Sequence, residues 1–311
     1  MKKPILSIII LNFNSSNYLS KCLLSLENSI TNYKFEVIVV DNASTDDSVL
    51  KIDKFKNSIK IKNYKLKIIY SKVNLGFSAG NNIGIKKTDP KSNYLLFLNP
   101  DTIVNPDTIE KIVSFMEKNP QASASTCKII LAKTGQIQPE CHRGFPTPWR
   151  SFCYFSGLSK LFPNSKLFSG YFLGHLDLSK THPIEACVGA FILIRRPVGD
   201  TIGWWNEKYF FYGEDLDLCY QLHKHNYKLF YYPHCSIIHY QGISSGIKNQ
   251  SKKLSKASRQ TKIYSAKAST SAMRIFYQQN LFSKYSPLTK FIVNIGINLL
   301  EFIRVFKAKY L

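Results

Sequence analysis

Three features of this 311-residue chain predict an α/β fold with a mainly parallel sheet. Short apolar runs alternate with segments whose apolar residues recur every three or four positions, which is strand alternating with helix. The runs are nearly continuous in Ile, Leu and Val, as in strands buried on both faces. Clusters of Asn and Asp close three of them, and in open sheets of this class ligands bind beyond the carboxyl ends of the strands.

Residues 5–11 read as the first strand, which ends at Asn12-Phe13-Asn14. Leu19, Cys22, Leu23, Leu26 and Ile30 then share one face of a helix over residues 18–30. Residues 35–40 form a second strand, and its polar tail from Asp41 to Asp47 supplies turn residues and caps for a helix over about residues 48–55. Residues 68–70 are a short third strand. Residues 74–84 open another helix, whose glycines let backbone approach a ligand. A fourth strand over residues 94–98 ends at Asn99-Pro100-Asp101, and a helix over residues 107–118 stops near Pro120. Residues 135–183 are rich in Pro, Gly and aromatics without periodicity, and predict loops and short helices over the site. Residues 186–194 read as a strand, and the acidic segment after Phe210 leads into a helix reaching about His225. Residues 229–232 and 236–239 read as strand pieces. After Gly246 the composition shifts to Lys, Ser, Ala and Gln, which divides a main domain, residues 1–245, from a basic helical extension, residues 246–311.

Composition excludes several classes. An apolar fraction of 44% with 18 Tyr and 21 Phe is not that of a disordered chain, and 15 Gly with 13 Pro is not collagen-like. No run of about 18 uncharged apolar residues predicts a membrane span. The N-terminal apolar run is short and leads into a polar segment, so it reads as a strand rather than a signal peptide. Seven cysteines without a Cys-x-x-Cys argue for a reducing cytosol over a disulfide framework. The 42 Lys and Arg exceed the 20 Asp and Glu by 22, and residues 218–300 hold 12 Lys/Arg and no carboxylate. Such asymmetry points to an anionic partner: nucleic acid, a phosphorylated substrate or an anionic membrane.

Asn99-Pro100-Asp101 places a carboxylate just after a buried strand, suited to a hard cation that also takes substrate phosphates. The same residue types also make a capping turn. Gly213-Glu214-Asp215-Leu216-Asp217 packs three carboxylates into four positions. Close carboxylates raise the pKa of one of them, which suits a general base, although they also complement a helix N-terminus. His239, with an Asp at a strand end, would complete a mixed Asp/His metal site. Cys219, His223, His225, His234 and Cys235 match no usual zinc spacing. The segment over residues 74–84 has neither the Gly-Lys-Ser/Thr ending of a P-loop nor a Gly-x-Gly-x-x-Gly pattern.

Seven stretches occur in a recognisable order: Ser7 to Asn14; Val39-Val40-Asp41-Asn42-Ala43-Ser44-Thr45-Asp46; Asn74-Leu75-Gly76-Phe77 with Gly80-Asn81-Asn82-Ile83-Gly84; Leu98-Asn99-Pro100-Asp101; Gly189-Ala190 before Arg195-Arg196; Phe210 to Asp217; and His239-Tyr240-Gln241-Gly242-x-Ser244. In this order they resemble glycosyltransferase family 2, specifically its rhamnosyltransferase-like branch, over about residues 4–245. The resemblance implies a GT-A fold with a Rossmann-like sheet, and inverting transfer from a dTDP- or UDP-sugar. It implies that Asp41 contacts the donor base, with Leu11, Asn12, Asn14, Asn42, Asn74, Gly76, Gly80, Asn81 and Asn99 on the donor side. Asp101 and His239 would hold Mg²⁺ or Mn²⁺; Asn99 stands where the family's Asp-x-Asp motif usually has its first Asp. Asp215 matches the catalytic base, with Glu214 tuning it, and Gly189, Arg196 and Asp217 fall on the acceptor side. The implied acceptor is a glycan or lipid-linked glycan of a growing bacterial surface polysaccharide, at the inner face of the cytoplasmic membrane, without a specific nucleic acid. The chemistry agrees: one base must deprotonate the acceptor hydroxyl, and a cation must stabilise the departing diphosphate. Retaining hydrolysis would need two carboxylates flanking the bond, which leaves the strand-end residues unexplained.

Residues 248–267 carry seven Lys/Arg and no acid, as a solvated face or an anionic-surface contact. Over residues 291–306, Asn294, Asn298, Glu301 and Arg304 form one polar stripe on an otherwise apolar helix. At roughly 24 Å it is too short to span a bilayer core. Such a helix lies in a membrane interface or packs on protein. The resemblance favours the membrane, since similar enzymes extend lipid-diphosphate-linked glycans. A second reading, a non-catalytic basic protein that binds a nucleotide or nucleic acid, has the charge and the tyrosines behind it but no recognition motif.

Overall fold

The computed structural model describes residues 6–58, 61–241 and 258–310. The expected boundary near Gly246, Gly242 and Ser244 of the last motif, and residues 248–257 of the basic run lie outside the described residues.

The first half alternates as expected: β1 (Leu6–Asn12), α1 (Ser16–Glu27), β2 (Phe35–Asp41), α2 (Ser48–Ser58), β3 (Tyr64–Tyr70), α3 (Gly76–Ile85) and β4 (Tyr94–Leu98). Then come β5 (Thr102–Val104), α4 (Thr108–Lys118), β6 (Ala122–Leu131), α5 (Pro148–Phe155), α6 (Leu158–Leu161), β7 (His182–Ile184), β8 (Phe191–Arg195) and α7 (Arg196–Ile202). The chain continues through α8 (Glu214–Lys224), β9 (Lys228–His239), α9 (Arg259–Phe276) and α10 (Pro287–Tyr310).

One nine-stranded sheet runs β3-β2-β1-β4-β8-β6-β9-β5, with β7 on β9. Strands β3, β2, β1 and β4 are parallel. Every residue of β2 and β4 is buried, which is why these strands read as nearly continuous apolar runs, interrupted in β2 only by the buried Glu36 before its terminal Asp41. Beyond β4 the sheet is mixed: β8 is antiparallel to β4 and β6, while β6 and β9 are parallel.

Three elements differ from expectation. Strand β3 is longer, because Lys65 and Lys67 break its apolar pattern on a sheet edge, where Lys67 pairs with buried Glu36 at 2.8 Å. Strand β6 begins Ala-Ser-Ala-Ser, residues of low strand propensity that carry no signal until they are packed. The two pieces around Pro233 are one strand, β9, and the register shifts opposite Cys127 and Lys128, where a proline is tolerated.

The C-terminal helices continue the fold. Phe276, Tyr277 and Leu281 enter the same core as the sheet, and α10 lies along α9. All seven cysteines are buried and free. Among the described residues no helix is long and apolar enough to cross a membrane.

Candidate donor and catalytic site

Strands β1, β2 and β4 end on one edge of the sheet, so their polar tails meet there. Asn12 is in register with Asp41, and its Nδ2 donates to Asp41 Oδ1 at 2.8 Å and Ser44 Oγ at 3.1 Å. Asp41, 2% exposed, also accepts from the Ser44 N–H at 3.0 Å. Asn14 takes a left-handed φ of 52°, which Asn tolerates, and its side-chain oxygen accepts from the N–H groups of Thr45 at 2.8 Å and Asp46 at 3.3 Å. Asn42 donates to Asn74 Oδ1 at 2.9 Å and the Gly76 carbonyl at 3.1 Å, and accepts from the Leu75 N–H at 3.0 Å. These bonds dock the start of α3 on β2. Gly76 has φ +81°, and a β-carbon there would stand 2.5 Å from the Phe210 carbonyl oxygen. Gly80 lies against the Leu11 side chain with no room for a β-carbon. Asn81 is turned inward, donating to the Phe77 carbonyl at 2.9 Å.

The turn after β4 fixes Asp101. The Asn99 N–H donates to the Ala190 carbonyl at 3.0 Å, and the Asn99 carbonyl accepts from Thr102 Oγ1 at 2.7 Å. Thr102 is in register with His239, which brings Asp101 Oδ1 to 3.3 Å from His239 Nε2. On the far side of the ring, His239 Nδ1 donates to Gln138 Oε1 at 2.7 Å. A neutral imidazole oriented this way presents its Nε2 lone pair to the Asp101 carboxylate. Two acceptors at that distance repel unless a proton or cation lies between them. Gln138 is fully buried, and its Nε2 has no partner. Among the described residues no group of three or more His, Cys, Asp or Glu side chains is placed to hold a metal ion. The Asp101–His239 pair therefore fits a divalent cation that completes its shell with diphosphate oxygens and water, not an all-protein cage.

Helix α8 starts after Gly213, φ +81°, and carries Glu214, Asp215 and Asp217 in its first turn. Asp215 Oδ2 accepts from Arg143 Nη2 at 3.0 Å and the Gly189 N–H at 3.3 Å, and Oδ1 accepts from the Leu216 N–H at 2.7 Å. The Asp215 side chain is 15% exposed and that of Arg143 12%. Gly189 and Ala190 thus join the two ends of the site: one N–H holds the Asp215 carboxylate, and the next carbonyl holds the Asn99 turn. Glu214 points into the interior, and its Oε2 has no partner. Burial, and then the Asp215 charge, push its carboxyl from an ordinary 4.5 up to about 8, against the opposing pull of Arg143. Glu214 is thus protonated at neutral pH, and α8 opens with less negative charge than its sequence suggests.

Two residues from the stretch without periodicity reach the site unannounced. Gln138 orients His239, and Arg143 holds Asp215; no local pattern in the sequence marks either. Two acceptor-side assignments are corrected. Arg196 bonds Thr88 Oγ1 at 3.0 Å and the Asp89 carbonyl at 3.1 Å, at the opposite edge of the sheet, because β8 runs antiparallel to β4. Asp217 is 1% exposed among Asn206 Nδ2 at 3.1 Å, Tyr209 Oη at 3.3 Å and Asn280 Nδ2 at 2.7 Å, where it fastens α8. A cavity of about 330 Å³ beside α8, between Arg150, Glu185 and His223, includes none of the donor-side residues.

Solved structures share the architecture. The chain superposes on the Pyrobaculum calidifontis mannosyltransferase PcManGT, solved with GDP-Man and Mn²⁺, at a TM-score of 0.56 and 13% identity over 99% of this chain and 74% of that one. It superposes on GalNAc-T7, solved with UDP, GalNAc and Mn²⁺, at a TM-score of 0.57 and 17% identity over 76% of this chain and 44% of the other. These likenesses show the GT-A fold. In sequence, the rhamnosyltransferase WbbL of Escherichia coli is 27% identical over 240 residues, 75% of this chain and 82% of its own length. The N-acetylglucosaminyl-diphospho-decaprenol L-rhamnosyltransferase of Mycobacterium tuberculosis is 23% identical over 252 residues, 78% of each chain. Two Haemophilus influenzae glycosyltransferases match at 33% and 34% identity, but the matches span only 39% and 45% of their lengths. The model of glycosyl transferase family 2 matches residues 7–200, more than half of the sequence, and the chain belongs to that family.

Proposed function

We propose that the protein transfers a sugar, rhamnose by its relatives' names, from a dTDP- or UDP-sugar to a hydroxyl of a lipid-linked glycan, with inversion. The reading extends to cell-envelope polysaccharide assembly at the inner face of the cytoplasmic membrane. The observation that carries it is the Gly189-Ala190 corner, which links the partly exposed carboxylate of Asp215 to the turn that presents Asp101 and His239.

In this mechanism Asp215 takes the proton of the acceptor hydroxyl as its oxygen bonds to the anomeric carbon. The bond from that carbon to the diphosphate breaks on the opposite face, and the nucleoside diphosphate leaves with the electron pair. Arg143 and the Gly189 N–H hold the carboxylate in line for this step. Asp41, Asn12 and Asn14 form the wall for the nucleoside. Asp101 and His239 would hold Mg²⁺ or Mn²⁺, which supplies charge neutralisation for the leaving diphosphate.

Asp215→Asn tests the base. Transfer should fall at least about 10³-fold while donor binding, read as a rise in melting temperature, stays near wild type. Unchanged turnover would remove Asp215 from the role. A thermal-shift panel of nucleotide-sugars with Mg²⁺, Mn²⁺ or chelator tests the donor side, and no shift with any of them would count against it.

A further inference from the structure

Helix α10 is amphipathic in reverse. Its polar side faces the protein: Asn298 accepts from Arg274 at 2.8 Å, Glu301 pairs with Arg274 at 2.8 Å and accepts from Thr270 at 2.9 Å, and Arg304 donates to Ser269 at 2.8 Å. Ile297 is its one buried residue. Leu288, Phe291, Ile292, Ile295, Leu299, Phe302, Ile303, Phe306 and Tyr310 are instead 40–68% exposed. At about 100° per residue these positions fall within one arc of about 120°.

A second apolar surface comes from elsewhere in the chain. On α5, Trp149, Phe152 and Phe155 are exposed at spacings of three, while Cys153 faces inward. Leu161, Phe162 and Leu167 extend this surface past α6, with the Phe162 and Phe168 rings 5.0 Å apart and Trp149 and Phe168 6.1 Å apart. The segment that carries α5 is tied to the C-terminal helices: the Tyr277 hydroxyl after α9 donates to the Pro146 carbonyl at 2.6 Å, and Arg304 on the inner side of α10 lies near Tyr154 of α5 and Tyr171. Charge borders both. Of the four Lys/Arg in residues 141–176, Arg143 and Arg150 are paired with Asp215 and Glu185, which leaves the exposed Lys160 and Lys166 near the α5–α6 surface, and α10 ends in Lys307 and Lys309. Its one acid, Glu301, is neutralised by Arg274.

We propose that the outer face of α10 and the α5–α6 hairpin form one docking surface for an anionic lipid bilayer. Apolar side chains enter the interface while the flanking lysines meet anionic headgroups. The surface serves the lipid-linked acceptor of the proposed reaction and rests on that reading for its purpose only. Its test needs neither donor nor acceptor.

The full chain is floated with vesicles of phosphatidylcholine alone, or with phosphatidylglycerol at about one part in three. Binding is expected to the anionic vesicles only and to weaken with salt. Of the three tryptophans, Trp205 is buried and Trp204 packs on Phe97, so emission changes report chiefly Trp149. On anionic vesicles the emission should shift to the blue and be quenched by brominated lipid, and Trp149→Phe should abolish both effects while preserving binding. Phe291→Ser with Phe302→Ser should weaken binding at least about tenfold with an unchanged melting temperature. Absence of vesicle binding, equal binding to neutral vesicles, or an unshifted Trp149 would each overturn the proposal. So would a concentration-dependent dimer that buries these residues and leaves vesicles unbound. Failure here leaves donor-induced thermal shifts untouched, so the two readings fail separately.

Discussion

Glu214→Gln should stabilise the protein at alkaline pH, although it alters the acidic first turn of α8. The Glu214 carboxyl ionises near 8 in the folded protein against an ordinary 4.5, chiefly because it is buried. Between those values the folded state holds a proton that the unfolded chain has released. The stability cost of Glu214 is therefore absent below pH 4.5, grows as pH rises, and is complete above about 8. A tenfold change in proton affinity is about 1.4 kcal/mol, so the full cost is about 4–5 kcal/mol, and relaxation around the charge would bring it nearer 2–3. Glutamine keeps the shape without the charge, at about 1 kcal/mol for a buried amide hydrogen without a partner. Urea unfolding at pH 5, 7 and 9 reads the difference. The variant should be equal or slightly weaker at pH 5 and about 1–2 kcal/mol stronger at pH 9. Stability curves that stay parallel across this range would refute the argument. Turnover within about tenfold of wild type is also expected, since Asp215 keeps some exposure where Glu214 is buried; a loss as deep as that of Asp215→Asn would make Glu214 the base.

Gln138→Leu removes the acceptor that orients His239 and should weaken Mn²⁺ binding about 10–100-fold by titration calorimetry, with the fold intact; unchanged affinity would separate Gln138 from the metal. Gly76→Ala places a methyl at 2.5 Å from the Phe210 carbonyl oxygen at a φ of +81°, and should cost about 2 kcal/mol or more of unfolding free energy in urea. His142 donates from Nδ1 to the Phe172 carbonyl at 3.2 Å and accepts at Nε2 from His182, 2.6 Å away. Burial and then the His182 charge push its ring from 6.5 down to about 4, so its stabilisation is complete above pH 6.5 and is lost as pH falls toward 4. His142→Gln should flatten that acid limb of the melting-temperature profile; an unchanged limb would count against the assignment.

The first half of the fold was legible because β1, β2 and β4 are buried on both faces, and its candidate site residues were picked out because they sit at strand ends. The other half was not, for reasons that particular residues make plain. An apolar run that ends in Arg195-Arg196 says nothing of direction, and because β8 is antiparallel its carboxyl end lies away from the site. Asp217 sits two positions after Asp215, which is about 200° around a helix, so the two carboxylates cannot serve one face. Gln138 and Arg143 reach partners 101 and 72 residues away, and contacts of that separation leave no period in the local sequence.

The position of Asp217 changes what the C-terminal helices are for. Asn280, just after α9, donates to Asp217 at 2.7 Å, and its carbonyl accepts from Tyr220 Oη at 2.7 Å. Lys284 donates to the same hydroxyl at 2.8 Å, and Gln279 accepts from Asn206 at 3.0 Å. Buried polar bonds of this kind break only at a cost of about 1–3 kcal/mol each, so α8 and the end of α9 move together. Helix α10 is fixed to α9 in turn through Arg274, Glu301 and Arg304. Asp215 at the start of α8 and the apolar face of α10 thus belong to one bonded assembly of helices. If that face docks on a bilayer as proposed, it would hold Asp215 at a fixed height above the surface, which the proposed attack by a hydroxyl of a lipid-linked acceptor requires.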